Sequence, residues 1–195
     1  HLLDESNCLG NETITFAYSI VSSGTYEENL RNYYSKQSKS NNYKDLKDSF
    51  DFLVNVRSEQ LKSENRKDYQ TKHLIEFEVG LSEEKAKEYL SLGIDINEGF
   101  KQYMNDLKAK FGMNTLQISI HKDEGYIDKD NILHHNIHAH FLVHNYNFET
   151  KKAILSNFRK RDYRQLQTLA QKSFNSVGLD FRRGLSKFQT KLKHQ

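Results

Sequence analysis

The sequence contains no proline and no tryptophan, and only one cysteine and two methionines in 195 residues. A single thiol, Cys8, excludes an internal disulfide and a multi-thiolate metal cluster. It fits a reducing compartment, so Asn11-Glu12-Thr13 reads as a chance match to a glycosylation acceptor. No window comes near the roughly 18 uninterrupted apolar residues of a membrane span. The opening HLLDESNCLG lacks the basic and apolar blocks of a secretory signal. These absences predict a cytoplasmic protein with no membrane span. The missing proline is a compositional habit with no physical tie to a function. There is also no internal repeat, no domain linker and no HExxH metallohydrolase motif.

What is present is a length sufficient for one hydrophobic core, with 36% hydrophobic residues, and an uneven distribution of charge. The formal charge is +3, yet residues 151–195 hold 12 Lys+Arg against Asp162 and Asp180. That block stands at +10 and residues 1–150 at −7. A basic block of this kind is what phosphate contact with nucleic acid requires, and it is equally what a solvated helical face with a basic tail provides.

Periodicity orders the chain. Ile14–Val21 reads as a buried strand stopped by Ser22-Ser23-Gly24, and Thr25 caps a helix over Tyr26–Tyr34. Ser35–Lys47 reads as a loop. Residues 48–71 fit a helix or a short strand, with Arg57–Tyr69 so charged that a helix there would be mostly solvated. His73–Gly80 alternates as a strand, and Ser82-Glu83-Glu84 opens a helix. Residues 97–111 carry Phe100, Tyr103, Met104, Leu107 and Phe111 as a core-facing helical stripe ended by Gly112. Leu116–His121 is a strand, Gly125–Leu133 a polar loop and Ile137–Val143 a second alternating strand. Arg161–Ser176 closes the order as a helix stopping at Gly178. The expectation is one α+β domain with a central antiparallel sheet flanked by helices.

The period of two in Ile137–Val143 sends His138 and His140 to one face and Ile137, Ala139, Phe141 and Val143 to the other. If that strand pairs with Leu116–His121, His121 joins them and Glu124 follows three residues on. Three imidazoles and a carboxylate suit Mn²⁺, Zn²⁺ or another divalent ion and argue against Ca²⁺. Such an ion would serve as a Lewis acid on a phosphoryl or carbonyl oxygen.

His121-Lys122-Asp123-Glu124 followed by His138-Ala139-His140-Phe141-Leu142-Val143 resembles the HxDE…HxH segment of the Mob/Pre plasmid mobilisation relaxases, members of the HUH endonucleases. Leu166-Gln167, Phe174–Gly178 and Leu179-Asp180-Phe181-Arg182-Arg183-Gly184 are similar to that family's helix and following RG segment, and Ser23–Arg31 falls where it has an HNxR motif. The resemblance spans most of residues 14–187, and its central motif is the specific part. It implies a sheet bearing the paired histidines, with His121, Glu124, His138 and His140 as ligands of a divalent ion, Mn²⁺ or Mg²⁺ with Zn²⁺ also admissible. The implied activity is nicking one strand of origin-of-transfer DNA through a covalent protein–DNA link, alongside conjugation or mobilisation accessory proteins. Arg31, Arg161, Arg164, Arg182 and Arg183 become the expected DNA contacts, within a 1–195 nicking domain that forms the N-terminal part of a longer protein.

The chain departs from the family in two places. Residues 125–137 separate Glu124 from His138, with Ile137 where the family has proline, and Glu28 occupies the place of the HNxR histidine. The nucleophile candidates are therefore Glu28 and Tyr26, the nearest tyrosine. Other readings are a rolling-circle replication initiator using Tyr163, a metallohydrolase with Asp123 as base, and an HUH-type DNA-binding module without a nucleophile.

Overall fold

The computed structural model describes residues 12–16, 37–38, 43–122 and 125–184. Its strands are β1 (Glu12–Phe16), β2 (Gln37–Ser38), β3 (Leu74–Gly80), β4 (Asn114–His121), β5 (Gly125–Ile127), β6 (Leu133–His135) and β7 (His138–His144). Its helices are α1 (Tyr43–Ser63), α2 (Glu83–Ser91), α3 (Asn97–Phe111), α4 (Ile154–Asn157) and α5 (Lys160–Ser176). Five strands form one sheet in the order β2-β1-β4-β7-β3, and every neighbouring pair is antiparallel. β5 and β6 make a separate hairpin between the two central strands. The chain is thus a mixed α+β structure, as its periodicities imply.

Strand alternation decides how the sheet is covered. On one face Ile118 and Ile120 of β4, Ala139, Phe141 and Val143 of β7, and Ile75 of β3 are buried. α3 lies on this face, with Phe141 set 5.5 Å from the Tyr103 ring and 6.2 Å from Phe100, and stacked on Phe77 at 5.2 Å. Burying a side chain such as Phe141 stabilises the fold by about 1.5–3 kcal/mol. α5 packs in turn on α3, through Phe174 against Phe100 at 5.2 Å and the Tyr103 hydroxyl donating to the Leu166 carbonyl at 3.2 Å. The helices approach so closely at Gly99 that a β-carbon there would fall 2.5 Å from Phe174 Cδ1. α3 ends at Gly112, whose φ of +68° closes the helix in the left-handed region.

The other face is divided. At the end of β7 marked by His144, α1 forms a roof, with Phe50 meeting the His144 ring edge-on at 6.4 Å. At the opposite end of the same face stand His121, His138 and His140.

Three local expectations are corrected. The supposed loop Ser35–Lys47 contains β2 and the first turn of α1, which resolves residues 48–63 as helix. Leu46, Leu53, Val56 and Leu61 supply its apolar face, and Lys47 pairs with Asp51 one turn on at 2.6 Å. The charged stretch of that helix is not simply solvated, because Arg57 is 2% and Gln60 3% exposed. Arg57 is held by Asp68, by His73 Nδ1 at 2.8 Å and by the face of Tyr146, while Gln60 bridges the Phe148 carbonyl and the Tyr146 hydroxyl. The supposed loop Gly125–Leu133 contains β5 and the first residue of β6, turned by Asp128, whose Oδ1 accepts the backbone N–H groups of Asp130 and Ile132 at 2.9 Å each. The short helix α4 has no counterpart in the sequence pattern. The helix expected over Tyr26–Tyr34 lies outside the described residues.

Candidate metal centre

Two long-range strand pairings create the site. β4 and β7 run antiparallel with His121 opposite His138 and Ser119 opposite His140. The strands enter and leave the β5–β6 hairpin at this point, so the residues between them leave the histidine-bearing ends side by side. The three rings form a compact group. His121 and His138 stack at 4.9 Å with planes 9° apart, and His140 stands nearly perpendicular to them, 5.4 Å from His121 and 5.0 Å from His138. One nitrogen from each lies within 4.8 Å of the other two.

Hydrogen bonding fixes which nitrogens are presented. His138 Nδ1 is 2.9 Å from the Asn136 carbonyl oxygen, an acceptor only, so Nδ1 carries the proton. His140 Nδ1 is 3.0 Å from Glu76 Oε1, and it donates in the same way to that carboxylate. Both rings are thereby held in the tautomer with the proton on Nδ1, which makes Nε2 the nitrogen that carries the lone pair. His138 is buried and the other two are half-buried, so the group opens to solvent on one side. These three side chains can hold a metal ion, and three neutral imidazoles with open positions are a donor set suited to Zn²⁺, Mn²⁺ and similar transition ions.

Acidic groups cluster at this end. Glu76 and Glu78 lie on β3 opposite Leu142 and His140. Glu83 at the start of α2 and Asp128 of the hairpin turn flank His134, at 2.8 Å from Nδ1 and 2.9 Å from Nε2. The two carboxylates raise the His134 pKa above its ordinary value, the Glu83 hydrogen bond being the larger cause. Carboxylates beside the imidazoles favour a divalent cation.

The remaining expected site residues are distributed as follows. Tyr26, Glu28, Arg31, Asp123 and Glu124 lie outside the described residues. Arg161 is at the start of α5, where Phe158 packs on Phe111 at 5.3 Å just before β4 begins, so it stands at the end of the sheet opposite the histidines. Arg164 follows one turn along the same helix. Tyr163 also belongs to that far end, edge-on to Phe158 at 5.5 Å, beside a cleft of about 220 Å³ lined by Lys110, Phe111, Lys152 and Phe158. Arg183 is braced against α5, donating to Thr168 Oγ1 at 3.2 Å. Arg182 is exposed and reaches Asp180 at 4.0 Å, and Asp180 is itself tied to α2 through Lys85 and Tyr89. The structure therefore gathers the three histidines and separates Arg161 and Tyr163 from them.

Glu76 is the residue that sequence reasoning missed. The alternation of HLIEFEVG already places Glu76 and Glu78 on the polar face of their strand. What the pattern does not contain is the pairing of β3 with β7.

With this geometry in place, comparison with known proteins adds no identity: no family model, no curated protein and no solved structure matches the chain. Among the described residues no helix is long and apolar enough to cross a membrane.

Proposed function

We propose that this protein is a metal-dependent nickase of single-stranded DNA of the HUH relaxase kind, acting at an origin of transfer and leaving a covalent protein–DNA link. The observation that carries the reading is the triad itself: His121, His138 and His140 on one face of two paired strands, two of them with Nδ1 engaged by acceptors. A bound Mn²⁺, Mg²⁺ or Zn²⁺ supplies Lewis-acid polarisation of a phosphoryl oxygen. The protein's own residues would orient the donor nitrogens of His138 and His140 toward such an ion. Glu28 and Tyr26 remain the proposed nucleophiles, and Glu124 the proposed carboxylate ligand. A second reading, an HUH-type DNA-binding module without nucleophile, shares every feature of the triad. The initiator reading draws less support, because Tyr163 stands at the far end of the sheet.

The test is incubation with a pool of single-stranded oligonucleotides and Mn²⁺, followed by a denaturing gel and mass spectrometry for a peptide–DNA adduct. The expected result is an adduct that His138→Ala abolishes, with the modified residue naming the nucleophile. Metal-dependent binding with neither adduct nor cleavage would select the binding module. Absence of both metal uptake and DNA binding would overturn the reading.

A further inference from the structure

We propose that Glu76 on β3 is the positioning residue of this centre, setting both the tautomer and the direction of the His140 ring. The inference rests on the histidine triad being a metal centre, and it concerns a carboxylate outside the residues that the sequence pattern nominated.

Register gives the argument its direction. The residue directly opposite His140 is Glu78, while Glu76 lies opposite Leu142, two residues further from the end of the sheet occupied by His138. His140 nevertheless makes its contact to Glu76, with Nδ1 3.0 Å from Oε1. This is a diagonal cross-strand pair, within reach of long side chains. Nδ1 and Nε2 lie on opposite sides of an imidazole. Drawing Nδ1 along the sheet toward Glu76, away from the end bearing His138, turns Nε2 back toward His121 and His138. A ring paired straight across with Glu78 would not be turned in this way. Glu78 itself leans in the other sense, its Oε1 lying 3.7 Å from where a Gly80 β-carbon would be, and Gly80 is the register partner of His138.

Chemistry reinforces the geometry. A carboxylate accepting Nδ1–H fixes the proton on that nitrogen and makes Nε2 a better donor, and loss of such a partner typically weakens metal binding about 10–100-fold. His138 receives the corresponding support from the neutral Asn136 carbonyl. His140 is therefore the imidazole whose proton position and ring direction depend on a side chain rather than on the backbone. Glu76 is exposed, with its side chain at 42% of full accessibility, so its truncation removes no core contact.

The experiment measures Co²⁺ and Mn²⁺ affinity of the full chain by calorimetry, together with the visible Co²⁺ spectrum, for Glu76→Ala, Glu76→Gln, Glu78→Gln and His140→Ala. Glu76→Ala is expected to lose about 10–100-fold in affinity and to shift the Co²⁺ bands, with unchanged thermal unfolding of the metal-free protein. Glu76→Gln, whose amide oxygen still accepts Nδ1–H, should recover the Co²⁺ spectrum and most of that affinity. Glu78→Gln removes the same charge from the same strand face and should change affinity less than about threefold, as expected for a solvent-screened charge. Equal losses in Glu76→Ala and Glu78→Gln would show a general field effect and overturn the assignment. So would wild-type affinity in Glu76→Ala when His140→Ala has lost the metal. Wild-type affinity in His140→Ala would sink the metal centre and the positioning role together.

Discussion

The two ends of β7 carry the same side chain on the same face of the same sheet, and they have nothing else in common. At one end His138 and His140 face each other and His121, with acceptors on their Nδ1 atoms and carboxylates alongside. At the other end His144 is wholly buried under α1, stacked on Phe148 at 5.7 Å and edge-on to Phe50. Neither of its ring nitrogens has a hydrogen-bond partner among the described residues. Burial drives its pKa down to about 3, helped by Arg57 and then His73. Four imidazoles on two strands thus divide into three gathered in one group, two of them with Nδ1 held by an acceptor, and one packed among rings without a hydrogen bond. An HxH pattern identifies the stiff platform, and the neighbours decide what the imidazoles do.

The largest effect that separates the ends concerns metal. Substituting His138→Ala or His121→Ala should reduce Co²⁺ or Mn²⁺ affinity by at least about 100-fold, since the loss of a direct ligand exceeds that of a supporting partner. His144→Leu should leave affinity unchanged. Calorimetric titration of the three variants checks this. Comparable losses in His144→Leu would erase the distinction between the ends.

Stability sharpens the same contrast with the opposite residue. His144 buries two polar nitrogens without partners, so replacing it by leucine, similar in volume and wholly apolar, should be neutral or stabilising by about 1–2 kcal/mol. Its lowered pKa also gives a signed dependence on pH. Below its ordinary pKa near 6.5 the unfolded chain binds a proton that the folded chain refuses until about pH 3. Stability therefore falls as pH drops through that window, by about 1.4 kcal/mol per unit from this group. Arg57 and His73 add unfavourable charge beside it. Urea unfolding between pH 7 and 5 should show a steeper loss in wild type than in His144→Leu. Equal slopes would mean that the buried ring is not the group that titrates.

The parts of this architecture legible in the sequence are those written in a local period. The alternation in β7 and β4 places His138, His140 and His121, and the stripe from Phe100 to Phe111 defines α3. Residues whose role depends on a distant partner were not legible. Arg57 looks like part of a solvated helical face, and it is buried because Asp68, His73 and Tyr146 converge on it. Glu76 looks like any polar strand residue until β3 pairs with β7, 64 residues later. The β5–β6 hairpin was hidden for another reason. Its strands are three residues long, and Ile127, Ile132 and Leu133 are at least half exposed, so no buried face imposes a hydrophobic alternation.

The hairpin supplies the smallest and most discriminating comparison, because its histidine has the pH response opposite to that of His144. His134 is clasped between Glu83 of α2 and Asp128 of the turn, and stacks on Tyr126 at 4.9 Å. Lys87 faces the same cluster through Glu83, at 2.6 Å. The raised pKa of His134 means that the folded state holds its proton more tightly than the unfolded chain does. Its contribution is fully present below about pH 6.5 and is lost as pH rises through the elevated value. Asp128 closes the window on the acid side. Its pKa is lowered chiefly by the His134 hydrogen bond, so its contribution disappears as pH falls through that lowered value. The clasp should thus be tightest in mildly acidic solution, where His144 is already lowering global stability. Amide exchange of residues 125–135, corrected for intrinsic rates, should therefore show greater protection at pH 5.5 than at pH 8 in wild type. His134→Gln should remove the difference while leaving global unfolding nearly unchanged, since the cluster is solvent-screened. If the pH dependence survives that substitution, the hairpin is held to α2 by something other than its histidine.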